Sequence, residues 1–414
     1  MAWKDREINN LNRQMSNVMS ARGRMEKLSG FLFQDGGFSN YLISGGVDAD
    51  ERYLPLFDWL DYIVGQIPMV ILHNRDIHLE AMVNEAWHRA AEGDYTEKLW
   101  TVNDDNPFFE PFYGMTDMQI TMILRQLAKR LDYTVTPRFE RVVNAHLSIL
   151  KELEIPYSLS GLFYLCQFQD IGEFHDNIMA LPCGEASARR IWAELGTEDE
   201  RGSEQFDLFR AIINNLAMEA QYSGWSPDSS IGEYNCVQAV QSGAVFLLSL
   251  DNMHNTLMHA YLAEELKINS HTPFFLMLDD ITVKDDGFFE YLCSAGDRTF
   301  IGIISENAVE QLGQDEAAFQ RLADKMDCLV LLKHSTGKTA EVLSEIIGKY
   351  DYTKAETSSG TSRGFFHFMP RDTHDDIRIS TENRYRVMPE SITGLQAGQA
   401  IIFDVVQDLI IFYN

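Results

Sequence analysis

Long apolar runs are missing from this chain. No stretch approaches the roughly 18 to 20 uninterrupted apolar residues of a membrane span, and the amino terminus, MAWKDREINN, has no apolar core of a secretory leader. Both features predict a cytoplasmic protein. Cysteine is scarce: Cys166, Cys183, Cys236, Cys293 and Cys328 lie far apart and never form CxxC. An odd number at such spacing argues against disulfide frameworks and zinc sites and reads as buried thiols. Basic residues are also in short supply, with 34 against 62 acidic ones and a formal charge of −28. That charge repels a phosphate backbone unless the basic groups gather on one face, so composition counts against simple DNA binding. Residues 1–27 are the exception, with Lys4, Arg6, Arg13, Arg22, Arg24 and Lys27 against Asp5, Glu7 and Glu26. This basic amino-terminal arm, residues 1–30, reads as a solvated amphipathic helix, with contact to DNA or a membrane surface as the alternative.

What is present is enough apolar material, 45% of 414 residues, for one large core and a second, smaller one. The organising stretch is PFFLMLDDIT, Pro273 to Thr282, in which a run of large apolar residues ends in two adjacent aspartates. A run without alternation suits a strand buried on both faces, as in a parallel sheet. Parallel sheets take their ligands outside the carboxyl ends of the strands, which puts Asp279 and Asp280 where an α/β domain does its chemistry. A Walker B strand reads this way: its first acid holds magnesium and a second polarises the attacking water. A strand that merely ends in an acidic turn gives the same pattern.

The phosphate-binding partner of such a strand needs GxxxxGK[ST], because glycines let backbone amides wrap the phosphates, lysine neutralises charge and the hydroxyl ligates magnesium. FSNYLISGG at 38–46 is a short strand followed by two glycines, and residues 54–64 then carry apolar groups at helical spacing. Laying Gly45 on the first glycine of the motif puts Asp50, Glu51 and Arg52 on its last three positions. Gly45, Gly46, Asp50, Glu51 and Arg52 are therefore the nucleotide-binding positions of a degenerate loop, in which two carboxylates, with Asp48 beside them, face a triphosphate. Arg52 is the only cation there, expected to point elsewhere or to neutralise Glu51. GKT at 337–339 lacks a glycine five residues earlier and reads as a helix start. His73 and His78, with only Asp76 and Glu80 nearby, read as surface residues rather than metal ligands.

IPMVIL at 67–72 is a further buried strand. Between 116 and 222 the pattern turns to amphipathic helices, with Pro137 at an early helix position and turns near Gly172 and Gly196. Strands return at 244–250, 273–279, 299–304 and 328–334, separated by single helices, one of them spanning 307–326, as in a doubly wound parallel sheet. Residues 351–364 read as a flexible loop, and QAIIFDVVQDLIIFYN as a hairpin around Val406 to Asp408. The domain reading is 31–115 and 223–414 as two parts of one α/β domain, and 116–222 as a helical domain with its own core. The strand carrying Asp279 is expected beside the strand that begins at Tyr41.

The order of these features resembles the cytoplasmic ATPase domain of type IV secretion coupling proteins, the TraG/TraD-like conjugation proteins, kin of the FtsK and HerA translocases. SGAVFLLSL, PFFLMLDDI, SAGDRTFIGII, Gln311–Leu312, TAEVLSEIIG and RYRVMPESITGLQAGQAIIF carry the resemblance, over about residues 38 to 414. It implies a RecA-like P-loop NTPase fold with a mainly parallel sheet and an inserted all-α domain. It also implies a metal-ligand role for Asp279, a water-polarising role for Asp280 and a subunit-interface role for Arg298. The departures are the missing Walker A residues, an aspartate in place of the second acid's glutamate, and Ser305 and Glu306 where the family has a glutamine.

Three functions follow as expectations. One is a catalytically degenerate subunit or adaptor of a conjugation or type IV secretion machine, with no nucleotide bound. Another is a working motor for DNA or protein transfer, using Mg-ATP. The third is an unrelated α/β binding protein with a simple metal site at the twin aspartates. Expected partners are other components of such a machine, in a homo-oligomer or a hetero-oligomer with an active ATPase.

Overall fold

The computed structural model describes residues 39–413 apart from 47–48, 57–58, 61–62, 91–98, 104, 107–108, 169, 197–199, 224–233, 270, 297, 313–314 and 362–372. The basic arm at 1–30 and Asp48 therefore lie outside the described residues. In chain order the elements begin with β1 (Tyr41–Ser44), α1 (Ala49–Tyr53), β2 (Met69–His73), α2 (Ile77–Ala90) and β3 (Leu99–Val102). A helical series follows: α3 (Asp117–Arg130), α4 (Pro137–Glu152), α5 (Leu159–Cys166), α6 (Ile171–Met179), α7 (Glu185–Leu195), α8 (Glu200–Tyr222) and α9 (Cys236–Ser242). Strands and helices then alternate through β4 (Val245–Ser249), α10 (Thr256–Ile268), β5 (Phe274–Asp279), α11 (Asp286–Ser294), β6 (Thr299–Ser305), α12 (Ala308–Leu312), α13 (Glu316–Ala323), β7 (Cys328–Leu331) and α14 (Gly337–Ile347). The chain closes with β8 (Lys349–Thr361), β9 (Thr373–Tyr385), α15 (Pro389–Thr393), β10 (Ala400–Asp404) and β11 (Leu409–Tyr413).

Among the described residues nine strands form one sheet in the order β11-β10-β7-β1-β6-β5-β2-β4-β3. β1 to β7 pair in parallel, while β10 and β11 run antiparallel at one edge. The central runs are apolar without alternation because both faces are covered. Along β5, Leu276 and Leu278 enter one apolar cluster while Phe275 and Met277 enter the other. On the second face Trp59, Leu79, Val83 and Trp87 cover Tyr41, Ile71 and Met277. Burying each such side chain is worth about 2 kcal/mol, which fixes the strands' register against both layers.

One expected adjacency is not observed. β5 is not beside β1; β6 lies between them, with Asp279 level with Ile304 and Ile304 level with Ile43. The two strand ends are thus separated by two strand spacings, about 10 Å.

Between 116 and 222 the described residues form helices alone. Their starts are capped by local chemistry. Thr116 and Gln119 form a capping box on α3, and Thr136 caps α4, whose first residue is Pro137. Among the described residues the apolar cluster of this segment is shared with the α/β part rather than separate. Its apolar cluster runs on into one face of the sheet, because Leu257 to Leu266 of α10 are all buried between them.

Two local readings are also corrected. The expected flexible loop at 351–364 is, to Thr361, part of β8, paired with β9 as a separate two-stranded ribbon. A run of polar residues gives no alternating apolar signature, so the sequence reads as loop. The helix expected over 307–326 is broken into α12 and α13, with Asp315 capping the second through Ala318 N–H. The closing hairpin turns where expected, between Asp404 and Leu409.

Candidate functional site at the carboxyl ends of the strands

β5 delivers Asp279 to the carboxyl edge of the sheet, buried at 1% exposure. Asp280 follows with φ 48°, a left-handed conformation that turns the chain out of the strand. Its amide still donates to Ile304 O, so the turn is anchored on β6. One carboxylate oxygen of Asp280 accepts from Glu306 N–H at 2.7 Å, and the other binds the Arg52 guanidinium. The Arg52 side chain is 7% exposed. Arg52 therefore neither points away nor neutralises Glu51, as the sequence suggested: it closes the gap across the end of β6. Glu51 turns elsewhere and accepts from Gly398 N–H at 2.9 Å. For Asp50 the backbone is described, in α1, and the side chain is not.

The two glycines continue the sheet ladder. Gly45 N–H donates to Ser305 O at 3.0 Å and Gly46 N–H to Lys333 O at 2.9 Å, with φ of 97° and 103°. A Cβ on Gly45 would stand 2.9 Å from both Leu332 O and Lys333 O, which is why no side chain is accommodated there.

Asp279 sits in a small polar nest. The Tyr53 hydroxyl lies 2.8 Å from an oxygen of Asp279 and 2.8 Å from one of Asp76. Burial, and then the Asp280 charge, push the Asp279 carboxyl up to about 8, so at pH 7 it is chiefly the neutral acid. With one proton on Asp279, the chain Asp279 O–H to Tyr53 O–H to Asp76 carboxylate satisfies both short contacts, since one phenol proton cannot serve two acids. The other Asp279 oxygen has no hydrogen-bond partner among the described residues. Asp76 also caps α2, accepting from the amides of His78 and Leu79.

His73 ends β2, level with Asp279. It is fully buried, not at the surface as expected, and burial pushes its imidazole down to about 4. Its Nδ1 accepts from Asp76 N–H, and its Nε2 lies 3.5 Å from Glu80. His78 is exposed. Among the described residues no cluster of three or more His, Cys, Asp or Glu is arranged to hold a metal.

Arg298 is at the opposite edge of the sheet. It precedes the first residue of β6 and donates to His271 O, about 20 Å of strand from Asp280. Lys338 and Thr339 begin α14, as expected, and Thr339 bonds Asn307. Gln311 reaches from α12 to the end of β6 and accepts from the Ser305 hydroxyl.

Sequence reasoning missed Tyr53, His73 and Asn252 as parts of this site. Asn252 bridges the turn, donating to Asp280 O and accepting from Thr282 N–H at 2.9 Å. The polar residues just after each parallel strand were the one signal that could have found His73 and Asn252; Tyr53 carried none.

The solved structures that match this chain share its fold. The bacterial conjugative coupling protein TrwB, in its unbound monoclinic form, matches with a TM-score of 0.52 at 13% identity, over 91% of this chain and 87% of that one. TrwB with a non-hydrolysable GTP analogue matches with 0.51 at 14% identity, over 90% and 84%. TrwB with a non-hydrolysable ATP analogue gives the same values. The fold is that of a conjugative coupling protein. No family model matches the chain, and no curated protein does.

Proposed function

We propose that this chain is a coupling-protein-like subunit of a conjugation or type IV secretion machine, an ATPase fold kept as an adaptor whose nucleotide site is filled by its own side chains. The observation that carries this reading is the half-buried Arg52–Asp280 ion pair. It places a guanidinium on the very acid that would polarise water, and neutralises the strand end without an ion. The surroundings agree. The Gly45 and Gly46 amides are spent on sheet carbonyls, and Glu51 is bonded to Gly398. These residues do not fit a magnesium triphosphate. In this reading the helices of 116–222 form a docking unit, and Arg298 serves only a neighbouring subunit, since its own site is at the other edge of the sheet.

A working motor is the second reading, favoured by the unpartnered oxygen of Asp279 at the end of a central strand. Titration calorimetry with Mg-ATP and Mg-GTP separates the two. The adaptor reading expects no binding tighter than about millimolar. Micromolar binding that Asp279→Ala abolishes would establish a live site and remove it.

A further inference from the structure

The nine-stranded sheet ends at β11, whose sequence is LIIFY. It is bonded to β10 alone, from Leu409 opposite Asp404 to Tyr413 opposite Ala400. Among the described residues no other hydrogen bond reaches the main chain of Leu409 to Phe412, so alternate N–H and C=O groups along the outer side face away from the sheet. Edge strands of soluble proteins are kept from pairing by lysine, proline, a bulge or a covering element. LIIFY has no charge and no proline, and its ladder with β10 runs without a bulge. Its side chains also leave both faces of the sheet unfinished. Ile410 packs against the apolar cluster of one face and Ile411 against that of the other. Leu409 and Phe412, one on each face by the alternation of a strand, are 46% and 56% exposed.

We propose that β11 pairs antiparallel with β11 of a second copy of this chain, so that one sheet runs through both. Three observations select that occupant. An open ladder takes a strand, because only an extended chain meets its N–H and C=O groups along the whole edge. Two unfinished faces take a strand as well, since a helix or loop laid on the sheet covers one face and leaves the other. The strand's own copy then fits. In a two-fold pair centred on Ile411 all five residues find partners: Leu409 stands opposite the partner's Tyr413, Ile410 opposite the partner's Phe412, and Ile411 opposite the partner's Ile411. Directly opposed residues point to the same face, so each half-exposed side chain meets a large apolar one and no charge meets a charge. Asp408, the acid next to the strand, is already paired with Arg386. A two-fold contact closes on itself, which ends growth at the dimer. This inference does not depend on whether the strand-end site binds nucleotide.

The test is sedimentation velocity on the full chain from about 1 to 200 μM, where the proposal expects a reversible monomer–dimer equilibrium with a Kd of about 10 μM. Two chains of formal charge −28 repel one another, so the dimer should tighten at least about threefold between roughly 0.05 and 0.5 M salt. Leu409→Lys and Phe412→Lys should each weaken it by about tenfold or more. Both positions are half-exposed, and an unchanged melting temperature shows that the variants are folded. A readout of register keeps the test independent of those two variants. Ile411→Cys sits on the two-fold axis and should form an intermolecular disulfide with copper phenanthroline and oxygen, beyond any seen in the parent chain. Leu409→Cys should not, because its copy lies four residues along the opposed strand, about 14 Å away and beyond disulfide reach. A chain that stays monomeric to about 200 μM in both salts overturns the proposal and leaves the edge to a strand of another protein. A dimer that both lysine variants leave intact, or crosslinking at 409 and not at 411, overturns it as well.

Discussion

The strand end at Asp279–Asp280 and the loop from Gly45 to Tyr53 face one another across β6, yet they are held by opposite means. The strand end is fixed by backbone: β5 is paired on both sides, and Asp280 N–H is still bonded to β6. Beyond Gly45 and Gly46, whose amides stay on the sheet, the loop is fixed by side chains, since Arg52 grips Asp280, Tyr53 meets Asp279 and Glu51 holds Gly398. In a nucleotide site the strand end supplies acid and the loop supplies positive potential to an anion between them. Here the loop sends its one cation directly to the acid. The difference teaches that two adjacent aspartates in a nearly dry site require either a cation or a proton. This chain supplies both, Arg52 to Asp280 and a proton to Asp279.

The strongest break of that comparison is to change the proton. Asp279, raised to about 8, and Glu265, fully buried in α10 and raised to about 7 chiefly by burial, both bind a proton on folding. Their stabilisation is complete below the unfolded value near 4 and is lost as pH rises through the folded values. The buried imidazoles of His73, His146, His259 and His334 are pushed down to about 4, 4, 3 and 4, mainly by burial, so their contribution is present above about 6.5 and lost on acidification. Stability measured by urea titration should peak near about pH 6.5 and fall by roughly 2 to 3 kcal/mol toward pH 9. Asp279→Asn and Glu265→Gln should each flatten the alkaline limb; a limb unchanged by both would show that these carboxyls are ionised throughout.

Removing the loop's cation comes next. Arg52→Ala leaves Asp280 without its partner in a site only one-fifth exposed, at an expected cost of about 3 kcal/mol. Arg52→Met combined with Asp280→Asn should regain at least half of it. A single-variant loss below about 1 kcal/mol in chemical denaturation would mean that side chains do not hold the loop.

A backbone change in the loop should cost less. Gly45→Ala meets two carbonyls at 2.9 Å in a left-handed conformation, for an expected loss of about 2 kcal/mol. Gly243→Ala, also at positive φ but with open space around it, should cost about 1 kcal/mol. Equal melting-temperature shifts for the two would remove the steric part of the argument. The smallest effect belongs to Tyr53→Phe, which deletes one hydroxyl between two acids: about 1 kcal/mol in chemical denaturation.

Much of the sheet was legible because parallel strands buried on both faces are written as unbroken apolar runs. Pro273 to Asp279 and Met69 to His73 could be placed with no knowledge of their neighbours. Caps and turns were legible at Pro137 and at the closing hairpin. The ribbon β8–β9 was not, since its polar sequence leaves no apolar period to read. Nor was the partition of the core, because the burial of α10 on every side depends on what stands across from it.

By itself, then, the sequence determined that Asp279 and Asp280 close a central parallel strand, that helices fill 116–222, and that the loop after Gly45 lacks the residues of a phosphate cradle. Strand placement follows from local pattern and solvent exclusion, which every stretch of chain carries within itself. Tertiary structure alone decided that β6 separates β1 from β5, that Arg52 reaches Asp280 rather than Glu51, that His73 is buried, and that Arg298 lies at the far edge. The physical reason is that electrostatic partners are chosen by distance and dielectric across the fold, and residues 228 positions apart in the chain can be in contact without any mark in either local sequence.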